Sequence, residues 1–381
     1  MGLQARGIML GMRVLFFVGS LAAGGLERFV TRVSLQAKST GAFEPVVCCL
    51  TAKTGIFLSE LEAAQVSVWE APKGWERRFS ALIALGSLVR EIEPDIVHSQ
   101  VNFSLLQQVF AVRFLAQATF CVTERNCYRL SGVSRLKRLV QFHALRLLRI
   151  RYSANSYAVA EHLGRLVLAD KRSIPILPNG VAPIPPNQNL RVQKRTRLGW
   201  GDRDIGIGYI ARMAKHKGHS LFLRSVARVR DAGAQAKVCF LGDGPQRGAL
   251  EKLTRELELD ALVSFIGTVS DVEDWLQAFD IVVLLSSHEG MPNVILEAMA
   301  AGKPIIGTPV GAIPELLNDG SAGILVMRRE VTEVAQALVS LIRTAAHREQ
   351  LGQAASSRAR EQFGLEVSFS KLLAHYEQTV A

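Results

Sequence analysis

The chain has 381 residues and is 49% hydrophobic, enough for two packed cores of ordinary size. Its formal charge is +11, unevenly placed: residues 1–190 hold 22 Lys and Arg against 12 Asp and Glu, whereas residues 191–381 hold 23 against 22. No run of 18 apolar residues occurs, which excludes a helix that spans a bilayer. The basic first half calls for an anionic partner: membrane lipid, a phosphorylated acceptor or nucleic acid. Nucleic acid is set aside, because aromatics are only 7% and do not interleave with the cations. The odd count of five cysteines, without metal-ligand spacing, points to reduced thiols in a cytosolic protein.

In chain order, Met9–Val18 has the apolar look of a signal peptide, but Arg13 interrupts it and Gly24-Gly25 with an amphipathic run follows. It reads better as a first strand, Val14–Val18, entering a glycine-bearing turn and a helix over Leu26–Lys38, with Met12 an alternative start to Met1. Short strands follow at Val46–Leu50, Val66–Trp69, Asp95–His98, Thr119–Thr123 and Arg151–Asn155, and Ile174–Leu177 closes this half. Helical segments lie between them, so the strands form a parallel, doubly wound sheet. Residues 179–189 are rich in Pro and Asn and lack any period, which marks a linker. The alternation restarts with strands at Ile205–Ile210, Lys237–Leu241, Leu262–Ile266, Ile281–Leu285, Pro304–Ile306 and Gly323–Val326. Residues 330–378 read as mostly helical, broken near Gly364. The expected organisation is an α/β chain of two Rossmann-like domains facing across a cleft. The domains are 12–182 and 201–362, joined by a linker over 183–200, with a helix over 363–381 returning to the first domain.

The stretch Ser286–Gly302 organises the second half. It runs from the end of an apolar strand, through a loop holding Glu289, into a helix that starts near Pro292-Asn293 and carries Glu297. Ligands of open α/β sheets bind at the C-terminal ends of strands. The free N–H groups of a helix start attract anions. Either glutamate alone would pass for a solvated side chain. Glu297, however, lies among Ile295, Leu296, Ala298 and Met299 on a helix with almost no polar face, and carboxylates are rarely buried without a partner. Carboxylates for hydroxyls and helix amides for phosphate suit a sugar nucleotide.

Other loops fall at corresponding places. Gly24-Gly25 sits at a strand-to-helix junction where backbone N–H groups can approach phosphate, although the pair is as consistent with a tight turn. Arg212 and Lys217 follow the strand Ile205–Ile210. Gly242-Asp243-Gly244-Pro245 follows Lys237–Leu241 and reads equally as a turn capped by Asp243. His98 ends its strand within reach of a cleft floor, a position that is more often structural. Asp202-Arg203-Asp204 precedes a strand rather than following one, so it reads as a turn and not as a metal site. Between Arg125 and Ala160 there are eight Lys or Arg and no acid. Arg135, Lys137, Arg138, Arg146 and Arg149 interleave with Leu136, Leu139, Val140, Leu145, Leu147 and Leu148 as a basic amphipathic helix, suited to an anionic membrane or to packing on the sheet.

Together these pieces resemble the retaining glycosyltransferases of family 4, which have the GT-B fold. Glu289–Glu297 looks like that family's E-x7-E motif and runs on to Gly302-Lys303-Pro304. Gly24–Arg28, Ala154–Ser156, Pro178–Val181, the Arg212/Lys217 pair, Gly242–Pro245 and Gly311–Glu315 match in order and spacing, so that the resemblance covers nearly the whole chain. It implies that the second half binds a nucleotide-sugar donor, UDP- or GDP-linked, with no cofactor or metal. It implies that Arg212 and Lys217 hold the diphosphate and stabilise its charge as it leaves, that Glu289 binds hydroxyls of the donor sugar, that the backbone of Gly290, Met291, Pro292 and Asn293 contacts the sugar or phosphate, and that Glu297 binds ribose hydroxyls. Gly24-Gly25 would approach the diphosphate from the other half. The family's functional His commonly lies two residues after His98, where this chain has Gln100. The expected reaction is retaining transfer to a glycan or lipid-linked acceptor by a cytoplasmic enzyme on the inner face of the membrane, building cell-surface polysaccharide or lipopolysaccharide. The alternative is a sugar-nucleotide epimerase or a phosphorylase on a similar scaffold.

Overall fold

The computed structural model describes residues 11–22, 24–101, 104–127, 150–167 and 170–380. The chain divides into two compact units, the first running through Asn179 and resuming at Ser368, the second being Gly180–Val367.

The first unit is built on β1 (Arg13–Val18), β2 (Glu44–Cys49), β3 (Ser67–Glu70), β4 (Ile96–Ser99), β5 (Thr119–Glu124) and β6 (Arg151–Ala154). These pair in parallel in the order β3-β2-β1-β4-β5-β6. β1 is apolar without alternation because both of its faces are covered. Val14, Phe16 and Val18 enter one core, while Leu15 and Phe17 enter the core on the opposite face. Phe369, Leu372 and Tyr376, from the helix Leu365–Val380, belong to the same core as Phe16.

The second unit is built on β7 (Gly206–Ile210), β8 (Lys237–Leu241), β9 (Val263–Gly267), β10 (Ile281–Leu284), β11 (Ile305–Gly307) and β12 (Ile324–Leu325). They are again all parallel, in the order β12-β11-β10-β7-β8-β9. Counted from its own first strand, each sheet therefore has the doubly wound order 3-2-1-4-5-6. The direction of winding reverses between β1 and β4 in one and between β7 and β10 in the other. Crevices at the carboxyl ends of the strands open at such reversals.

Part of the stretch expected as a linker is a helix, Gln188–Leu198. The Asn187 side chain caps it by accepting from the Leu190 N–H at 3.1 Å. Its inward face is charged rather than apolar. Arg191 donates to Asp280 at 2.8 Å, the nearly buried Arg195 donates to the Ala278 carbonyl at 3.0 Å, and Lys194 donates to Asp271 at 2.5 Å. The break expected near Gly364 is present. Gly364 leaves helical geometry between Ala345–Phe363 and Leu365–Val380, and the Leu365 N–H donates to the Val181 carbonyl at 3.1 Å.

Candidate functional site

The reversal point of the second unit brings together the loops after β7 and β10. Tyr209 on β7, fully buried, joins them through one hydroxyl. The Tyr209 Oη donates to the Lys217 carbonyl and accepts from the Leu285 N–H at 3.0 Å. Ser287 N–H donates to the His216 carbonyl at 2.8 Å. Gly218 takes a left-handed φ of +80°, and a Cβ there would lie 2.2 Å from the Leu285 carbonyl oxygen, so only glycine lets the two loops approach this closely. The guanidinium of Arg329, which follows β12, also reaches the Leu285 carbonyl, at 3.0 Å.

On this frame Lys217 Nζ lies 2.5 Å from Glu289 Oε1, and both side chains are mostly withdrawn from solvent. Ser286 Oγ donates to the same oxygen at 2.5 Å, and the Ser286 carbonyl is held in turn by the Thr308 hydroxyl at 2.6 Å. The loop after β11 completes the wall. Gly311, at φ +56°, has room for no Cβ because the Glu289 carbonyl oxygen would be 2.3 Å away, and Ala312 N–H donates to the Gly290 carbonyl at 2.8 Å. Arg212 stands exposed on the loop after β7. His216 and His288, at the tips of the two loops, stack with centroids 4.4 Å apart. Burial, then the neighbouring Lys217 and His288, hold the His216 ring below the ordinary histidine range.

Gly290, Met291 and Pro292 are buried in the turn into the helix Asn293–Ala300, with Pro292 at its cap position. Glu297 is buried on that helix, as its apolar neighbours required. The structure thus gathers Lys217, Glu289 and the start of the Asn293–Ala300 helix at one reversal point, with Arg212 on the adjoining loop. Arg329 was not singled out from the sequence; the one available signal was a cation just past the end of a strand. Asp243 behaves as a turn residue, its carboxylate accepting from the Gly244 N–H at 2.6 Å and from Arg247 at 3.1 Å. Those hydrogen bonds, the backbone one foremost, hold its carboxyl below the ordinary range.

The reversal point of the first unit is different. His98 is fully buried at the end of β4, and both of its ring nitrogens are occupied: Nδ1 with Tyr376 Oη at 2.7 Å and Nε2 with Thr123 Oγ1 at 2.7 Å. Neither nitrogen is left for a substrate, so the expected ligand contact gives way to a structural role. Burial pushes its pKa well below the ordinary value, which keeps the ring neutral. Gln100 Oε1 accepts from Arg125 Nε at 2.7 Å, and Arg125 Nη1 donates to Asn179 Oδ1 at 2.5 Å. The Arg125 guanidinium lies 3.9 Å over the Phe29 ring. Burial lowers the Arg125 pKa to about 9 against the opposing pull of Glu27.

Gly24 and Gly25 do open a helix, Gly25–Thr40, but the anion at its start is the chain's own. Glu27 folds back so far that a Cβ on Gly24 would lie 2.1 Å from its carboxylate oxygen, and burial raises the Glu27 pKa. The basic residues Arg135, Lys137, Arg138, Arg146 and Arg149 lie outside the described residues.

Two family models match the chain. "Glycosyltransferase Family 4" covers residues 23–183, and "Glycosyl transferases group 1" covers residues 204–344. The Vi polysaccharide biosynthesis protein VipC/TviE of Salmonella typhi is 24% identical over 369 residues, 85% of this chain and 64% of its own length. The N-acetyl-alpha-D-glucosaminyl L-malate synthase of Bacillus anthracis is 33% identical over 168 residues, 42% of this chain and 43% of its own length. The chain thus spans less than two thirds of the length of either relative. Among solved structures, Anabaena HepE in complex with UDP-glucose superposes with a TM-score of 0.84 at 20% identity, over 97% of this chain and all of that one. With two doubly wound units and both family models in place, the chain belongs to the glycosyltransferases of family 4 and has a GT-B type fold.

Proposed function

We propose that the protein is a retaining glycosyltransferase that moves a sugar from a UDP- or GDP-linked donor to a glycan or lipid-linked acceptor in cell-surface polysaccharide biosynthesis. It would work at the cytoplasmic face of a membrane. The observation that carries the reading is the Lys217–Glu289 pair at the strand reversal, with Arg212 beside it and the Asn293–Ala300 helix start behind it. The HepE complex with UDP-glucose and the polysaccharide role in the Salmonella relative's name support the donor class and the setting.

The chemistry follows from the charges. Departure of the sugar leaves a nucleoside diphosphate anion, and Arg212 and Lys217 are the cations at hand to stabilise it. Because that charge grows as the bond breaks, their contribution is larger in the transition state than in the bound donor. Without donor, Lys217 is held by Glu289. A diphosphate competes for the ammonium, and the carboxylate released is then the acceptor for sugar hydroxyls. Glu289 acts here as a positioning group rather than as acid or base. Glu297, buried one turn into the Asn293–Ala300 helix, takes the ribose hydroxyls.

The test combines a thermal-shift panel of UDP-, GDP- and ADP-sugars with a transfer or hydrolysis assay of the stabilising donor, using wild type, Glu289→Ala and Arg212→Ala. A donor-specific shift, with activity lost in both variants, is expected. Equal activity in all three proteins would overturn the assignment, and an inverted anomeric product would overturn the retaining course.

A further inference from the structure

The first unit carries an exposed apolar patch that neither the donor chemistry nor the fold explains. Ten large apolar side chains are exposed among the described residues, and five of them, Phe79, Ile83, Leu106, Phe110 and Phe114, fall on two adjacent elements. One is the helix Phe79–Ile92. The other is the helix Leu105–Val109, which continues into a π-helical turn at Phe110–Leu115. Phe79 and Ile83 are four residues apart, as are Leu106, Phe110 and Phe114, so each set shares one face. The faces meet: the Phe79 ring lies 6.4 Å from Phe110, which lies 5.8 Å from Phe114. Phe79 is 67% exposed and Phe114 is 56% exposed. The Arg90 side chain binds the elements together by donating to the Leu115 carbonyl.

Cations outnumber acids around the patch. Over 73–93 and 104–118 the chain has Lys73, Arg77, Arg78, Arg90 and Arg113, all exposed, against Glu76, Glu91 and Glu93, and Arg77 and Arg78 directly precede Phe79 while Arg113 neighbours Phe114. Aromatic rings exposed to water beside an excess of cations match a bilayer surface, where aromatics enter the headgroup region and cations meet anionic lipid. A second copy of the chain fits poorly, because two-fold pairing would set the cations of one patch against those of the other.

We infer that the Phe79–Phe110–Phe114 patch, with Arg77, Arg78 and Arg113, docks the first unit on an anionic lipid bilayer. The inference rests on the reading of a lipid-linked acceptor given above, and it places the contact on residues other than the basic stretch 135–149.

The experiment is co-sedimentation of the full chain with phosphatidylcholine vesicles, with and without phosphatidylglycerol, comparing wild type, a Phe79→Ser/Phe114→Ser variant and an Arg77→Gln/Arg78→Gln variant. Circular dichroism checks the fold. Wild type should bind the phosphatidylglycerol vesicles, and each variant should bind them roughly tenfold more weakly or worse. Wild-type protein that ignores anionic vesicles, or variants that bind as well as wild type, overturn the proposal. So does a Phe79→Ser/Phe114→Ser change that dissolves a dimer and leaves vesicle binding intact. The vesicles contain neither donor nor acceptor, so this outcome is independent of catalysis. Hydrolysis of the stabilising sugar nucleotide should persist in both variants. Vesicle binding that survives in an Arg212→Ala protein, with wild-type hydrolysis also retained there, would sink the functional reading and spare the docking surface.

Discussion

The two units share a strand order and differ at the point where it reverses. In the second unit the reversal holds Lys217 and Glu289 in a partly open ion pair, beside an exposed Arg212. In the first unit the corresponding point is sealed: His98 is tied at both nitrogens, Arg125 is buried under its own amide partners, and Glu27 covers the helix start. Topology opens a crevice in both, and the side chains decide what each can do. Charges that are paired but reachable can exchange partners with a ligand. Charges that are buried and held by the chain's own groups favour one arrangement, although Arg125 Nη2 and Gln100 Nε2 remain without a hydrogen-bond partner there among the described residues.

The largest effect that would break this contrast is catalytic. Arg212→Ala should lower turnover roughly a hundred- to thousand-fold, as loss of one donor to a developing anion does, and with little change in stability. Steady-state kinetics beside thermal melting separates the two. His98→Asn should instead act on stability, and a His98→Asn protein that folds normally but loses turnover would erase the distinction between the units.

Next in size is the loop junction. Gly218→Ala places a Cβ 2.2 Å from the Leu285 carbonyl oxygen at a φ of +80°, and should destabilise the second unit by about 3 kcal/mol. Hydrogen exchange should report the loss in the loops after β7 and β10 and leave the first unit unchanged.

The pH dependence separates the two units less sharply. His98 and His375, both in the first unit, have pKa values lowered by burial, His375 to about 4. Each is neutral when folded and regains its ordinary pKa when unfolded. The unfolded chain therefore binds more protons below pH about 6.5, and stability falls as pH drops through that value toward 4. Each histidine contributes a slope on the order of 1.4 kcal/mol per pH unit. His216 and His219, the latter lowered by burial to about 4, are such groups in the second unit, and in the first unit the raised pKa of Glu27 opposes the fall. Calorimetry from pH 7 to 5 should show both units losing stability, and replacing His375 by Phe should flatten the slope of the first.

The smallest expected effect is Tyr209→Phe. The ring stays packed, but the Leu285 N–H and the Lys217 carbonyl lose their shared partner, at a cost of about 1–2 kcal/mol and with a weaker donor-induced thermal shift.

The second unit's wall was legible in the sequence because each of its parts follows a short apolar strand and precedes a helix. That pattern places Arg212, Lys217, Glu289 and Glu297 at the same end of one sheet. The sealed crevice was not legible, since nothing in Asp95–His98 tells that Tyr376, 278 residues later, closes on the imidazole. Arg125 was hidden for a related reason: its partners Gln100 and Asn179 come from distant turns. The Gln188–Leu198 helix escaped because its buried face is Arg191, Lys194 and Arg195, so there was no apolar period to find. Its cap residue Asn187 and terminal Gly199 were the available signals.

The return of the last helix reverses the order in which the units can be completed during synthesis. The second unit has all of its residues once Val367 has been added. The first unit begins some 350 residues earlier, yet its core lacks Phe369, Leu372 and Tyr376 until the helix that carries them emerges. At about 5–20 residues per second, the first sheet, whose last strand ends at Ala154, waits roughly 10–45 s for Tyr376 to reach His98. Translation thus begins the first unit early and lets it close last, after its neighbour in the chain has been made in full.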